Sequence, residues 1–132
     1  SSKLLTIAIP SVVTREKYLN RLLLTLQKQI IDNNLENDIE ILIFKDNLTN
    51  KLGYKCNELI KNSRGKYIAG IGDDDMVADN YCFEIINVLK TQDVDQITFN
   101  MVYNNINKGY KLKMKFSKNF SYFNFITELI WQ

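Results

Sequence analysis

The sequence contains no histidine, a single proline and only two cysteines. The absence of histidine excludes acid–base catalysis by an imidazole and metal sites with histidine ligands. Cys56 and Cys82 lie in separate segments without the spacing of metal ligands, so we interpret them as reduced thiols of a cytosolic protein. Carboxylates, amides, hydroxyls and basic side chains are therefore the main groups available for chemistry.

Long apolar runs and a strong net charge are also missing. No apolar run approaches the length of a membrane span and the first residues show no signal-peptide pattern, so we expect a cytoplasmic protein without a membrane span. The formal net charge of +2 is too small to predict binding to nucleic acid. The 132 residues are enough for one domain with a proper core, so we predict a single domain over 1–132.

Apolar periodicity predicts that strands and helices alternate along the chain. In chain order these are a strand at 4–12, a helix at about 15–31, a strand at 39–46, a helix at 54–63 closed by Gly65, a strand at 66–72 and a helix after residue 79. Residues 95–103 and 110–116 then alternate as two strands joined by a turn. The aromatic-rich residues 120–132 have a helical pattern.

This order predicts an α/β fold in which helices flank a mainly parallel sheet, followed by a C-terminal hairpin and helix. Parallel sheets of this kind bind ligands outside the carboxyl ends of their strands. Polar residues lie at or directly after the carboxyl ends of three of the predicted strands: Ser11, Asp46 and the aspartates at 73–75. The sequence therefore predicts a binding site there.

The aspartate triplet at 73–75 needs an explanation, because adjacent carboxylates repel one another unless a cation or hydrogen-bond donors face them. One interpretation is a solvated loop in which Asp75 or Asp79 caps the next helix. A calcium loop of the EF-hand kind fits less well. Ala78 lies where that loop needs glycine, Val77 takes a ligand position, and a strand precedes the triplet where an EF-hand requires a helix.

A third interpretation is a divalent-metal site for a diphosphate. Mg²⁺ and Mn²⁺ favour carboxylate and phosphate oxygens, and they need few protein ligands when the substrate supplies the others. A metal at this position would neutralise the charge that develops on a departing nucleoside diphosphate.

Three blocks of sequence carry a resemblance to a known family. They are LLTIAIPSVVTREKYLNRLLLTLQKQ, IEILIFKDN and LGYKCNELIKNSRGKYIAGIGDDDMV, which together cover residues 4 to about 90. In these blocks the chain resembles the family 2 glycosyltransferases, whose nucleotide-binding half has the Rossmann-like GT-A fold. The last block is the most specific, because a glycine, an asparagine, RGKYI and the aspartates recur in order.

The resemblance implies donor-binding roles for residues at the predicted sheet edge. Pro10, Ser11 and Val12 resemble the segment that lies along the nucleoside of the donor. Asp46 is similar to an acidic residue that contacts the base, and Asn57 to an asparagine that faces the nucleotide.

The resemblance also implies a metal site. Asp73 and Asp75 resemble the DXD pair of the family, which holds Mn²⁺ or Mg²⁺ and contacts the ribose. Gly72 takes a place that is often acidic, so the pair can equally be drawn through Asp74, which we include among the donor-binding residues.

Two positions depart from the family pattern. Lys45 replaces the first acidic residue of the pair that ends in Asp46, and Cys56 replaces a basic residue for which Lys55 can substitute. These departures and the short length favour an alternative, a non-catalytic nucleotide-binding or assembly module that retains the GT-A fold.

The function that the resemblance implies is a glycosyltransferase domain. It would bind a UDP-, GDP- or dTDP-sugar with Mn²⁺ or Mg²⁺ and transfer the sugar to the hydroxyl of an acceptor, with inversion. A nucleotidyltransferase fits less well, because no glycine-rich loop with basic residues for a triphosphate follows the first strand.

Inverting transfer needs a general base within reach of the attacking hydroxyl. In the family this carboxylate lies well downstream of the DXD pair, and Glu128 is an outside candidate for it. We expect that the base is absent and that the chain is truncated after its donor-binding half. We also expect the C-terminal aromatic segment to promote the formation of a homo-oligomer.

Overall fold

The computed structural model describes residues 2–94, 96–99, 114–117 and 125–127. The elements in chain order are β1 (Lys3–Val12), α1 (Glu16–Asp32), β2 (Ile39–Asp46), α2 (Leu52–Asn62), β3 (Gly65–Gly70), α3 (Tyr81–Thr91), β4 (Gln96–Phe99), β5 (Met114–Ser117) and β6 (Phe125–Thr127). A 3₁₀ turn at Val13–Arg15 joins β1 to α1. The first five elements start and end within two residues of their predicted bounds.

The strands form two sheets. In the larger sheet β2, β1, β3 and β6 follow one another, and each neighbouring pair is parallel. The α/β prediction, with a parallel sheet flanked by helices, is confirmed, and the strand order is compatible with a Rossmann-like fold. Strands β4 and β5 pair antiparallel as expected for the predicted hairpin, whose turn lies outside the described residues.

The prediction of a C-terminal helix is wrong for Phe125–Thr127, because these residues form β6 beside β3. Aromatic and β-branched residues favour strands, and the free edge of β3 provides partners for their backbone groups. Local periodicity carries no information about such a distant partner. The rest of 120–132, including Glu128 and most of the aromatic segment, lies outside the described residues.

The prediction that Gly65 closes α2 is wrong. Helix α2 ends at Asn62, and Gly65 is the first residue of β3. A Cβ atom on Gly65 would lie 2.4 Å from the backbone nitrogen of Thr6 and 2.6 Å from its Oγ1. The Gly65 N–H donates a hydrogen bond to that Oγ1 over 2.8 Å. A glycine is needed here because β3 approaches β1 too closely for any side chain.

Helices cover both faces of the larger sheet. On one face, Ile7 of β1 lies in a buried apolar cluster with Leu22 of α1 and Ile85 of α3. On the other face, Ala8 of β1 packs in a smaller cluster with Leu59 of α2. Adjacent residues of β1 thus point to opposite faces, as the two-residue repeat of a strand requires.

The order of the strands creates a crevice at the carboxyl edge of the sheet. From β1 the chain passes through α1 to β2 on one side, and then through α2 to β3 on the other. Such a reversal leaves an opening between the carboxyl ends of β1 and β3. Pairing with β3 ends at Ala8, whereas pairing with β2 continues to Val12. Pro10, which has no N–H to donate, lies in this projecting part of β1.

Candidate functional site

The carboxylate of Asp73 joins the end of β1 to the segment that follows β3. Ser11 Oγ donates a hydrogen bond to Asp73 Oδ2 over 2.8 Å, and Arg15 Nη1 donates to Asp73 Oδ1 over 3.1 Å. The Asp73 side chain is 4% exposed, whereas that of Arg15 is 52% exposed. The hydrogen bond to Asp73 and the charge of Asp73 raise the pKa of Arg15. Both oxygens of this buried carboxylate therefore have protein partners.

A buried ammonium group joins the ends of β1 and β2. Lys55 Nζ donates to the carbonyl of Ser11 over 2.6 Å and to Asp46 Oδ1 over 2.7 Å. Asp46 Oδ2 accepts from the backbone N–H of Asn50 over 2.9 Å and from its side chain over 3.0 Å. The hydrogen bond from Lys55 is the largest cause that lowers the pKa of Asp46 from 3.8 to about 2. Asp46 is therefore ionised, and Lys55 and Asn50 provide the hydrogen bonds to its carboxylate.

The other two aspartates extend the negative charge into the crevice. Asp74 is exposed, and its Oδ2 lies 3.9 Å from Arg15 Nη1. Asp75 is half-buried near Gly72, where burial and the neighbouring charge of Asp74 raise its pKa. A carboxylate whose ionised form is disfavoured in this way gains stability from an added cation.

Two adjoining clefts open at this edge. The larger has a volume of about 350 Å³ and is lined by the aspartate triplet together with apolar residues of α2. The smaller, of about 220 Å³, is lined by the end of β1 and the connection from β2 to α2. Four residues line both clefts: Pro10, Arg15, Leu52 and Asp73. The larger volume falls within the range of small-molecule sites.

No protein-family model, curated protein or solved structure matches this chain. The interpretation of the site therefore depends on the residues that form it. In the part of the chain that the structure describes, no helix is both long enough and apolar enough to cross a membrane.

The structure brings the predicted donor-binding and metal-binding residues together with one exception, whereas Glu128 lies outside the described residues. Those that line a cleft, or are bonded to a residue that does, are Pro10, Ser11, Val12, Asp46, Lys55, Asp73, Asp74 and Asp75. Asn57 is exposed on α2 and is not among the residues that line the clefts. Its neighbour Cys56 lines the larger cleft instead, because adjacent residues of a helix point in different directions.

Sequence reasoning missed Arg15. Its guanidinium lines both clefts and contacts two of the three aspartates. The available signal was its position in the connection between β1 and α1, four residues after Ser11. Lys45, which departs from the resemblance, donates instead to Glu16 over 3.1 Å.

A side chain of α1 anchors the segment that follows the triplet. Gln29 is buried, and its Nε2 donates to the carbonyl of Ala78 over 2.9 Å. Its Oε1 accepts a hydrogen bond from the backbone N–H of Cys82, also over 2.9 Å. Cys82 lies in the first turn of α3, where backbone N–H groups lack partners within the helix.

This contact replaces the cap proposed from the sequence. The N-cap residue of α3 is Asn80, so the prediction that Asp75 or Asp79 caps this helix is wrong. The Asn80 side chain makes no capping hydrogen bond within the described residues. An amide from another helix satisfies the donor instead, and Asp75 lines the larger cleft.

The donor set suits a metal ion held jointly with a phosphate better than a closed protein site. Among the described residues, no group of three or more His, Cys, Asp and Glu side chains is arranged to hold a metal ion. All three aspartates line the larger cleft, and both oxygens of Asp73 are engaged by Ser11 and Arg15. Mg²⁺ sites at phosphates use one or two carboxylates and take their other ligands from phosphate and water. The residues present fit that pattern.

Proposed function

We propose that this chain binds a nucleoside-diphosphate sugar together with Mn²⁺ or Mg²⁺, and that it serves the transfer of the sugar to an acceptor hydroxyl. The observation that carries the proposal is the aspartate triplet at the crevice between β1 and β3, beside a cleft of about 350 Å³. In open α/β sheets this crevice is where nucleotides bind.

The charges at the crevice support a diphosphate and a cation as joint ligands. Asp75, with Asp74 beside it, would hold the cation, because both line the larger cleft. Burial and the charge of Asp74 raise the pKa of Asp75, so a nearby cation would stabilise its ionised form. When bound, a divalent cation neutralises charge on a departing diphosphate. The guanidinium of Arg15 lines the same cleft and can face phosphate oxygens.

The apolar side of the larger cleft supports a ring system as the other part of the ligand. Leu52, Leu59 and Ile60 of α2 line this cleft together with the three aspartates. Small-molecule sites commonly combine apolar walls with a few polar groups that orient the ligand. A nucleotide whose base or ribose packs against α2, and whose phosphates lie toward the triplet, would contact both the apolar and the charged residues of the cleft.

One observation favours the alternative of a non-catalytic nucleotide-binding module. Both oxygens of Asp73 already accept hydrogen bonds from the protein, Oδ2 from Ser11 and Oδ1 from Arg15. Asp73 would then hold β1 against the segment after β3 and would not bind a metal ion. The chain would keep its fold but lack a complete metal site. Binding and sugar transfer must therefore be measured separately.

Calorimetry with UDP, GDP and dTDP, each with Mn²⁺ and with EDTA, tests the proposal. We expect binding that requires Mn²⁺ and that weakens by about tenfold or more in Asp75→Ala, since a metal ligand and its charge are lost. Asp79→Ala is the matched control, because Asp79 is an exposed aspartate of the same segment. Equal affinity in EDTA, or normal binding by Asp75→Ala, would contradict the metal site. Sugar release is measured separately with the corresponding UDP-, GDP- or dTDP-sugar, and binding without release of that sugar would support the non-catalytic module.

A further inference from the structure

Arg15 and Lys55 are the basic residues among the described residues that line the two clefts. Their positions differ. The Lys55 ammonium is buried, and it is held by the Ser11 carbonyl and by Asp46. The Arg15 side chain is half-exposed and lies at the surface shared by both clefts. An anion that enters the clefts therefore meets Arg15 as the accessible cation.

Arg15 is already engaged by the carboxylates. Its Nη1 lies 3.1 Å from Asp73 Oδ1 and 3.9 Å from Asp74 Oδ2. A buried carboxylate requires such a partner, because an unpaired charge in this position is costly. The long side chain of Arg15 starts from the 3₁₀ turn between β1 and α1, so its guanidinium can change partner without a change in either element.

A divalent cation held by Asp74 and Asp75 would thus compete with the Arg15 guanidinium for Asp74 and would lie beside Asp73. Three adjacent carboxylates with one guanidinium leave excess negative charge, which repels a diphosphate. A divalent cation at the triplet removes that repulsion. It also supplies the positive charge beside Asp73 that Arg15 provides in its absence. The guanidinium that leaves Asp73 is then free to bind phosphate oxygens with charge-assisted hydrogen bonds.

We propose that Arg15 is a resident counter-ion of the aspartate triplet, which a divalent cation displaces from Asp73 so that the guanidinium binds the phosphates of the ligand. This rests on the proposed function, because it takes a diphosphate and a metal as the ligands. This exchange makes the binding of the metal and of the diphosphate cooperative, since both ligands favour the position in which the Arg15 guanidinium has left Asp73.

The test compares wild type with Arg15→Gln, which removes the charge, and with Arg15→Lys, which keeps it. Arg21→Gln is the control, because Arg21 is exposed on α1 and its guanidinium lies over the ring of Tyr18. Mn²⁺ alone is titrated first, by calorimetry and by its effect on the melting temperature. We expect Arg15→Gln to melt lower in EDTA and to bind Mn²⁺ at least about threefold more tightly than wild type, because the competing cation is gone.

Inorganic pyrophosphate and UDP are then titrated at saturating Mn²⁺. We expect both to bind Arg15→Gln about tenfold more weakly than wild type, with a smaller loss in Arg15→Lys and none in Arg21→Gln. Mn²⁺ affinity that is unchanged or lower in Arg15→Gln would overturn the exchange, as would unchanged affinity for pyrophosphate. Pyrophosphate binding that depends on Arg15, in a protein that binds no nucleotide, would support the exchange while refuting the proposed function.

Discussion

Gln29→Leu tests whether a single amide of α1 holds the segment that carries the aspartates. The substitution keeps a side chain of similar size in a buried position and removes both of its hydrogen bonds. The N–H of Cys82 then loses its acceptor in the first turn of α3, where no carbonyl of the helix can replace it. The carbonyl of Ala78 keeps one donor, since it also accepts from the N–H of Tyr81 over 3.0 Å.

The expected cost follows from this difference between the two partners. A buried N–H without an acceptor costs about 1–3 kcal/mol, and the net value of the lost bond to Ala78 adds about 0.5–1 kcal/mol. Burial of the leucine side chain offsets part of this, so we expect a net loss of about 2–3 kcal/mol in the free energy of unfolding. For a chain of this length that loss lowers the melting temperature by on the order of 10 °C.

The assay is unfolding in urea, with Gln27→Leu as the matched control. Gln27 is exposed on the same helix, so its substitution should change the free energy of unfolding by less than about 0.5 kcal/mol. Affinity for UDP with Mn²⁺ is then measured at a temperature where Gln29→Leu is folded. We expect weaker binding there, because the segment behind the triplet has lost its anchor. Equal losses in the two variants would refute the reasoning, as would a stable Gln29→Leu protein with normal affinity.

Two further predictions concern stability. Gly65→Ala should lower the free energy of unfolding by about 1–3 kcal/mol, because its Cβ would lie 2.4 Å from the backbone nitrogen of Thr6. Gly53→Ala should instead raise the free energy of unfolding by up to about 1 kcal/mol, because Gly53 lies in α2 and a Cβ there meets nothing within 4 Å. Unfolding in urea measures both variants, and a Gly65→Ala protein more stable than the Gly53→Ala protein would contradict both predictions. Asp46→Asn should be less stable than wild type at neutral pH. Folding lowers the pKa of Asp46 from 3.8 to about 2, so the difference in the free energy of unfolding between wild type and Asp46→Asn should persist above about pH 5 and shrink as the pH falls through 4 toward 2. A difference that is independent of pH would mean that the charge of Asp46 does not stabilise the fold.

The first five elements could be predicted because their signals are local. The apolar residues of α1 recur at helical spacing, and Leu19, Leu22 and Leu26 are buried as that spacing implies. The β-branched run of β1 is buried on both faces, as expected for a strand between two others in a parallel sheet. Such patterns need no knowledge of distant partners.

The polar residues of the site could also be predicted in part. Strand ends of a parallel sheet share one edge, so Ser11, Asp46 and the triplet were expected near one another. Asn57 is exposed on α2 and lines neither cleft, because the direction of a helical side chain depends on how α2 packs against the sheet, which a resemblance along the chain does not show. Arg15 was missed because its partner Asp73 lies 58 residues away.

By itself, the sequence determined the alternation of strands and helices, the parallel sheet and the edge where polar groups gather, since each follows from periodicity or from a general rule of α/β topology. Only the tertiary structure decided which charges meet there. It assigned Ser11 and Arg15 to Asp73, it buried Lys55 against Asp46, and it replaced a local helix cap with the amide of Gln29. The physical reason is distance: hydrogen bonds and ion pairs act over a few ångströms, and those distances exist only after the elements have packed.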